Sequence, residues 1–252
     1  MLAVYVNCIA IIIGSCIGLL FSKKISSKMT DVIQMACGLI SFIMGIQMAF
    51  EYRNVVYLAL SLIIGGILGT LLDIDGKVLL FGRFLEKIFY KKNNNVNIFN
   101  EDSNNDNISS KKNFAYAFLN ASVLFCVGAM AIIGSFKAGI EKDYSIIFLK
   151  SILDGFIAIG FAAAMGVGTA FSAIAILIYQ GGLTLLSVLI HDFVSEQMIA
   201  ELTASGGALI VMIGLNLMNI KSVKTANYLP AVLLSAIFVL LDPIFKSILM
   251  LN

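Results

Sequence analysis

The sequence has few charged residues, almost no proline and no tryptophan. Of its 252 residues, 13% are charged and 60% are hydrophobic, and there are only two prolines and one histidine. A soluble domain carries roughly twice that share of charged residues. The formal net charge is only +2, so no nucleic-acid partner is expected. Composition therefore excludes an ordinary soluble domain and predicts an all-α, polytopic membrane protein.

The motifs of the common catalytic sites are also missing. The single histidine, His191, cannot form an HExxH motif, and the chain has neither GxSxG nor a phosphate-binding glycine loop followed by Lys-Ser/Thr. The four cysteines lie inside apolar segments without the paired spacing of a zinc site, so we expect buried thiols that behave as small hydrophobes. We therefore expect that the protein is not an enzyme and that it holds neither a metal ion nor a cofactor.

Eight apolar segments are long enough to cross a hydrocarbon layer of about 30 Å. Lys and Arg concentrate in the loops after the first, third and seventh segments, and short loops of that kind face the cytoplasm. We therefore predict about eight transmembrane helices in a lipid bilayer, with both termini outside. The segments lie near residues 3–22, 32–50, 55–73, 115–135, 145–165, 169–190, 202–220 and 226–248.

The long connection after the third segment divides into two parts. Residues 77–92 place apolar residues at helical spacing and Arg83, Glu86 and Lys87 on the other face. This pattern predicts an amphipathic helix in the inner membrane interface, although an extension packed on protein fits it as well. Residues 93–113 are rich in asparagine and poor in apolar residues, which predicts a flexible polar linker.

The whole chain, residues 1–252, is predicted to be a single integral membrane domain. It contains a faint internal repeat. GLISFIMGIQM, ASVLFCVGAMA and GALIVMIGLNL superpose without gaps and align Gly45, Gly128 and Gly214. Each begins a helical hairpin, and the first and third copies are predicted to run in opposite directions. We therefore expect an inverted repeat of the kind found in transporters, with residues 1–76 and 169–252 as three-helix repeats around a central hairpin, 114–168. Chance similarity among glycine-rich apolar segments is the alternative.

Small residues recur four apart in three of the apolar segments. The stretches are GSCIG (residues 14–18), GGILG (65–69) and AAAMG (162–166). Such spacing lets helix backbones approach closely where lipid supplies no hydrophobic drive for association. The contacts are expected either within one chain or between the subunits of a homo-oligomer.

Polar residues in the middle of apolar segments are the candidate site. Asp154 lies about nine residues, or about 14 Å, into the fifth segment, and Gln180 lies about as deep in the sixth. A short turn joins these two segments, so the side chains are predicted to be neighbours. Lys150 lies one helical turn from Asp154 on the same face. A central Asp or Lys costs about 2.5–3.5 kcal/mol on insertion, so such residues normally face a cavity or a partner.

Two further features extend this candidate site. Gly181 and Gly182 are predicted to interrupt the sixth helix at mid-depth, where freed backbone groups would become ligands. Asn216 lies toward the inner side of the seventh segment and is predicted to line the inner half of a pathway. The alternatives are a structural Lys150–Asp154 pair, interhelical hydrogen bonds from the amides and close packing at the glycines. Asn7 lies near a segment end and is expected at the interface.

The leading hypothesis is a small secondary transporter or ion-coupled permease for a small solute or ion. Asp154 would bind a cation or carry the coupling proton, and Lys150 would tune it. A non-transporting scaffold or regulatory module is the first alternative, and it predicts a tight Lys150–Asp154 pair in a dry interior. An ion channel formed by an oligomer is the second alternative.

Three stretches also carry a resemblance to known proteins. LNASVLFCVGAMAIIGSFKAGI (residues 119–140), KSILDGF (150–156) and FSAIAILIYQGGLTLL (171–186) resemble, in order and spacing, the YqgA/YdfK-like family of bacterial inner-membrane proteins, a domain of unknown function. The similarity covers nearly the whole chain except the asparagine-rich linker. The resemblance implies a place in the bacterial cytoplasmic membrane, in a family suspected of transport. It assigns no role to Asp154.

Overall fold

The computed structural model describes residues 1–22, 26–78, 80, 114–190 and 194–249. The described residues contain no strand, and the predicted all-α fold is confirmed. A 3-10 helix, Thr225–Tyr228, precedes the last long helix. The principal α-helices are α1 (Leu2–Ser22), α2 (Ser27–Ala49), α3 (Val55–Leu71), α4 (Phe114–Cys126), α5 (Ala129–Ile140), α6 (Ser145–Met165), α7 (Gly168–Ile190), α8 (Glu196–Leu217) and α9 (Leu229–Leu249).

The helices identify a multi-pass membrane protein. Six helical segments are long and apolar enough to cross a bilayer, and a seventh is obtained if α4 and α5 count as one bent span. The remaining predicted segment is α3, whose 17 residues reach about 26 Å. Large apolar side chains cover the outer faces of the bundle, as contact with lipid requires. The predicted number of eight is therefore approximate.

Serine caps begin two of the long helices in the same way. The Ser26 hydroxyl accepts a hydrogen bond from the Met29 amide at the start of α2, and the Ser195 hydroxyl accepts one from the Met198 amide at the start of α8. Each cap satisfies one of the amide groups that a helix start leaves without a partner. The two bonds fix where α2 and α8 leave their preceding loops.

Glycines bring three pairs of helices into backbone contact. In the first pair, α1 and α6, Gly14 faces Gly155 and Gly18 faces Ile159, so these two helices run parallel. A Cβ on Gly18 would lie 2.2 Å from the Ile159 carbonyl oxygen. All three small-residue stretches are used within the chain, because Gly65 faces Ala231 of α9, Gly69 faces the 3-10 helix before α9, and Ala162 packs on Gly18.

The other two glycine-mediated pairs, α2 with α8 and α3 with α9, are antiparallel. A Cβ on Gly45 would lie 2.8 Å from the Gly207 carbonyl oxygen, and one on Gly214 would lie 2.9 Å from the Gly38 carbonyl oxygen. A Cβ on Gly69 would lie 1.8 Å from the carbonyl oxygen of Asn227, in the 3-10 helix just before α9. Both pairs therefore need glycine for their backbone separation.

One predicted span is broken, and the predicted break in another is absent. The segment predicted near 115–135 bends by 61° between α4 and α5. Gly128 adopts a φ of +124°, which a residue with a Cβ rarely adopts. In contrast, α7 runs without interruption through Gly181 and Gly182, so the predicted helix break there is wrong. An α-helix keeps every backbone hydrogen bond within the segment, which a membrane interior favours.

Two predicted segments lie largely or wholly outside the described residues. Of the amphipathic helix at 77–92, only Lys77, Val78 and Leu80 are described. The polar linker at 93–113 and His191 lie outside the described residues as well.

Candidate functional site

Four polar side chains meet where α1, α6 and α7 converge. Lys150 and Asp154 come from α6, Asn7 from α1 and Gln180 from α7. Lys150 is 6% exposed and Asp154 5%, while Asn7 and Gln180 are 0% exposed. We call these four residues the polar cluster. It is closed on all sides in this conformation.

Hydrogen bonds join the polar cluster into one chain. The Lys150 Nζ forms an ion pair with the Asp154 Oδ2. The Asn7 Nδ2 donates to the same Asp154 Oδ2 at 3.2 Å and to the Gln180 Oε1 at 3.0 Å. Asn7 therefore bridges the carboxylate of Asp154 and the amide of Gln180.

The sequence builds this arrangement from local spacing and close helix packing. Lys150 and Asp154 are four residues apart, so they share a helical face. Gly14 and Gly155 let α1 approach α6 closely enough for the Asn7 side chain to reach Asp154. Next to Asn7 in α1, the Cys8 thiol donates to the Ala173 carbonyl oxygen of α7 at 3.4 Å.

Two atoms of the polar cluster have no hydrogen-bond partner among the described residues. They are the Asn7 Oδ1, an acceptor, and the Gln180 Nε2, a donor, and both are buried. A buried polar atom without a partner costs about 1–3 kcal/mol. Buried polar groups normally find a partner in protein or in ordered water, so these two atoms point to a small polar ligand or water.

The break between α4 and α5 lies close to the same charges. Cys126, the last residue of α4, lies within electrostatic range of Lys150, Asp154 and Cys8. The next helix, α5, begins after Gly128 without a side-chain cap. The carboxyl end of a helix carries partial negative charge, which favours a nearby ammonium group. The sixth segment, where an interruption was predicted, is continuous, whereas the fourth is interrupted.

The other predicted site residues lie in different surroundings. A Cβ on Gly181 would lie 3.4 Å from the Met1 Cε, and one on Gly182 would meet no atom within 4 Å. The Asn216 side chain bonds the Val223 backbone in both directions, at 2.9 and 2.7 Å. Its hydrogen bonds thus close the loop after α8 and do not join the polar cluster. The pathway role of Asn216 stays a prediction.

Sequence reasoning missed two buried residues. It placed Asn7 at the interface, whereas Asn7 is buried at the centre of the polar cluster. It also left Glu201 without comment, because the seventh segment was predicted to begin at residue 202. In the structure α8 begins at Glu196 and buries Glu201 completely. A lone Asn or Glu inside an apolar run was the available signal for each.

Glu201 belongs to a second polar region, at the amino-terminal end of α8. Its Oε1 accepts hydrogen bonds from the backbone amides of Arg53, at 2.9 Å, and Asn54, at 2.6 Å. The Oε2 has no partner among the described residues. Tyr57 donates a hydrogen bond from its hydroxyl to the Asp242 carboxylate nearby. A cavity of about 490 Å³ adjoins this region, lined by Arg53, Asn54, Glu196, Gln197 and Asp242.

No group of three or more His, Cys, Asp or Glu side chains that could hold a metal ion occurs within the described part of the chain. Fold and site together define a multi-pass helical membrane protein with a buried, charged cluster at a three-helix junction. The chain belongs to the family described as "Protein of unknown function (DUF554)", whose model matches residues 2–240.

Two relatives share nearly the whole length of the chain. It is 29% identical to "Uncharacterized membrane protein YdfK" of Bacillus subtilis (strain 168) over 237 residues, which cover 92% of this chain and 93% of the relative. It is 26% identical to "Uncharacterized protein YqgA" of Escherichia coli (strain K12) over 231 residues, with the same coverage of 92% and 93%. No solved structure matches the chain.

Proposed function

We propose that the protein is a small secondary transporter or ion-coupled permease of the bacterial cytoplasmic membrane. Asp154 carries the coupling proton or binds a cation, and Lys150 neutralises the carboxylate when the site is otherwise empty. The observation that carries the proposal is the buried charge pair. Ionisable residues inside a membrane are rare, and where they occur they commonly mark ion and proton pathways. The unpaired atoms of Asn7 and Gln180 add a place for a ligand.

The contacts between α2 and α8 support an inverted repeat, as the proposal requires. Gly38 and Gly207 are 169 positions apart, and so are Gly45 and Gly214. Gly45 meets Gly207, and Gly38 meets Gly214. A twofold axis between the helices would place Gly38 on Gly207 and Gly45 on Gly214. It would therefore exchange the two contacts. The capping serines, Ser26 and Ser195, keep the same spacing of 169 positions.

The second hairpin helices support the same axis. Tyr57 lies near the start of α3 and packs against Phe238 in the middle of α9. Tyr228 ends the 3-10 helix that leads into α9 and faces Gly66 in the second half of α3. Inverted repeats let two equivalent halves exchange conformations and so open a site alternately to either side. We propose that α2–α3 and α8–α9 are such a pair.

The closed polar cluster corresponds to an occluded state in this proposal. Opening requires relative movement of α1, α6 or α7, or of the broken α4–α5 span beside Cys126. The relative helix directions, with α1 parallel to α6 and α2 antiparallel to α8, fit eight alternating spans and are the same for either orientation. We propose the orientation with both termini outside. Lys221 and Lys224 then face the cytoplasm.

Proton movement in proteoliposomes tests the proposal. Vesicles with an internal pH-sensitive dye are exposed to pooled salts, amino acids, sugars or organic acids under an imposed pH gradient. Wild-type protein is expected to move protons when one pool is added, whereas Asp154→Asn is expected to move none. Asp31→Asn is the matched control, because Asp31 is exposed on α2. Equal proton flux in the Asp154→Asn and wild-type vesicles would count decisively against the proposal.

One observation favours a non-transporting scaffold or regulatory module instead. Lys150 and Asp154 form a direct ion pair with almost no exposure, as that alternative predicts. Water access to the polar cluster separates the two functions. A variant that keeps only Cys126 is treated with a charged, membrane-impermeant thiol reagent. A transporter exposes Cys126 in part of its cycle and is labelled, whereas a dry scaffold is not.

A further inference from the structure

The polar cluster has a fixed direction of hydrogen bonding. An ionised carboxylate only accepts hydrogen bonds, so Asp154 requires Asn7 to present its Nδ2. The same Nδ2 donates to the Gln180 Oε1, so the Gln180 Nε2 must point away. The atoms left over, the Asn7 Oδ1 and the Gln180 Nε2, are therefore determined by the charge on Asp154.

We infer that Asn7 and Gln180 recognise the ligand of this site, and that a proton on Asp154 exchanges their donor and acceptor positions. This inference rests on the proposed function and names the chemistry of its ligand. Both side chains are 0% exposed, and each holds one unpartnered atom among the described residues.

Protonation reverses the hydrogen bonds in sequence. The carboxylate of Asp154 takes up one proton and becomes a neutral carboxyl group, whose hydroxyl donates. Asn7 then turns its Oδ1 toward Asp154, and Gln180 turns its Nε2 toward that same oxygen. The atoms left for a ligand become the Asn7 Nδ2 and the Gln180 Oε1. Donor and acceptor have changed places, while Asn7 still makes two hydrogen bonds within the cluster.

This geometry selects a class of ligand. With Asp154 ionised, the site offers an acceptor on Asn7 and a donor on Gln180. It therefore fits a neutral group that both donates and accepts, such as a hydroxyl or an amide, and it disfavours a bare alkali cation, which would face the Gln180 N–H. After protonation the same ligand meets donor against donor and acceptor against acceptor. Each unpaired buried group weakens binding by a factor of about 5 to 150.

The groups around Asp154 set the electrostatic balance of the switch. Lys150 from α6 is the cationic group, and the thiols of Cys126 from α4 and Cys8 from α1 lie within electrostatic range of each other. Tyr179 of α7 interacts with Cys126 in the same way. Protonation of Asp154 leaves the Lys150 ammonium without its anion, and the flexible lysine stem lets that ammonium move toward the membrane surface.

Side-chain amide NMR tests the switch directly. The chain has four glutamines, Gln34, Gln47, Gln180 and Gln197, so selective ¹⁵N labelling gives a simple spectrum. The Gln180 signal is assigned by its loss in Gln180→Met. We expect this signal to shift with pH at the same midpoint as the ¹³C-labelled carboxyl of Asp154. Gln34 is the internal control, because its Nε2 donates to the Leu217 carbonyl oxygen at 3.0 Å, far along the chain from the cluster.

Two variants complete the experiment. Asp154→Asn is expected to abolish the Gln180 titration, and Lys150→Met with Asp154→Asn repeats the test without an unpaired lysine. A stationary Gln180 signal while Asp154 titrates would overturn the inference, and so would an Asp154 that never titrates in the folded protein. A moving Gln180 signal with proton flux unchanged in Asp154→Asn would refute the transporter alone.

Discussion

The Lys150–Asp154 pair gives the sharpest prediction about stability. Both side chains are only 7% exposed, so removing either partner leaves a charge that water does not compensate. Breaking a buried ion pair in this way costs about 3–5 kcal/mol. Lys150→Met and Asp154→Asn are each expected to lower the free energy of unfolding by about that amount.

The double replacement is expected to restore most of the loss. When a buried pair is replaced by groups of similar volume, the desolvation cost of both charges disappears with their attraction. Lys150→Met combined with Asp154→Asn is therefore expected to lie within about 1 kcal/mol of the wild-type protein. The two single effects are strongly non-additive, as expected for residues in direct contact.

Unfolding in mixed micelles, followed by the circular dichroism of the helices, measures all four proteins. The exposed Asp31→Asn variant is the control and is expected to change the free energy of unfolding by less than about 0.5 kcal/mol. Two outcomes would refute the reasoning. Single variants that cost less than about 1 kcal/mol would mean that water reaches the pair. A double variant that costs the sum of the two would mean that the side chains act independently.

Three further predictions concern packing, pH and a loop. Gly18→Ala is expected to lower the free energy of unfolding by about 1–3 kcal/mol, because its Cβ would lie 2.2 Å from the Ile159 carbonyl oxygen. Gly182→Ala, whose Cβ would meet no atom within 4 Å, is expected to raise it by about 0.5–1 kcal/mol. Equal melting temperatures for the two variants would contradict this. Burial raises the pKa of Asp75 above 3.8, so stability falls as pH rises, and Asp75→Asn is expected to stabilise the protein at neutral pH but not below pH 3.8; a pH-independent difference would contradict it. Glu201→Leu is expected to speed amide hydrogen exchange at Arg53 and Asn54 about 5- to 150-fold, and unchanged exchange would contradict it.

The membrane character and three of the four residues of the polar cluster were predictable because they depend on local patterns. Lys150 and Asp154 share a face through their spacing alone, and Gln180 follows from a hairpin with a short turn. Asn7 was not predictable by such rules. Its place depends on the parallel contact of α1 with α6, which Gly14 and Gly155 permit across more than a hundred residues of sequence. Spacing within a helix carries no information about that contact.

Asn7 also changes the meaning of the residues that were predicted. Without Asn7, Gln180 would be a polar side chain near Asp154 that no hydrogen bond links to the carboxylate. With it, the Asp154 carboxylate and the Gln180 amide are connected through one Nδ2 group, and the orientation of each depends on the other. A replacement of Asn7 by leucine is therefore expected to uncouple Gln180 from Asp154, although it removes no charge.

The position of the broken helix follows from tertiary packing more than from glycine content. Two adjacent glycines, Gly181 and Gly182, stay helical because an intact helix satisfies its own backbone in the membrane. The single Gly128 does interrupt its span, and there Val127 packs so closely on α8 that a Cβ on Gly206 would lie 1.8 Å from its Cγ1. The break at Gly128 is therefore accompanied by close packing of Val127 on a neighbouring helix. Because this break ends α4 at Cys126, within electrostatic range of Lys150 and Asp154, movement of α4 would alter the field at the Lys150–Asp154 pair.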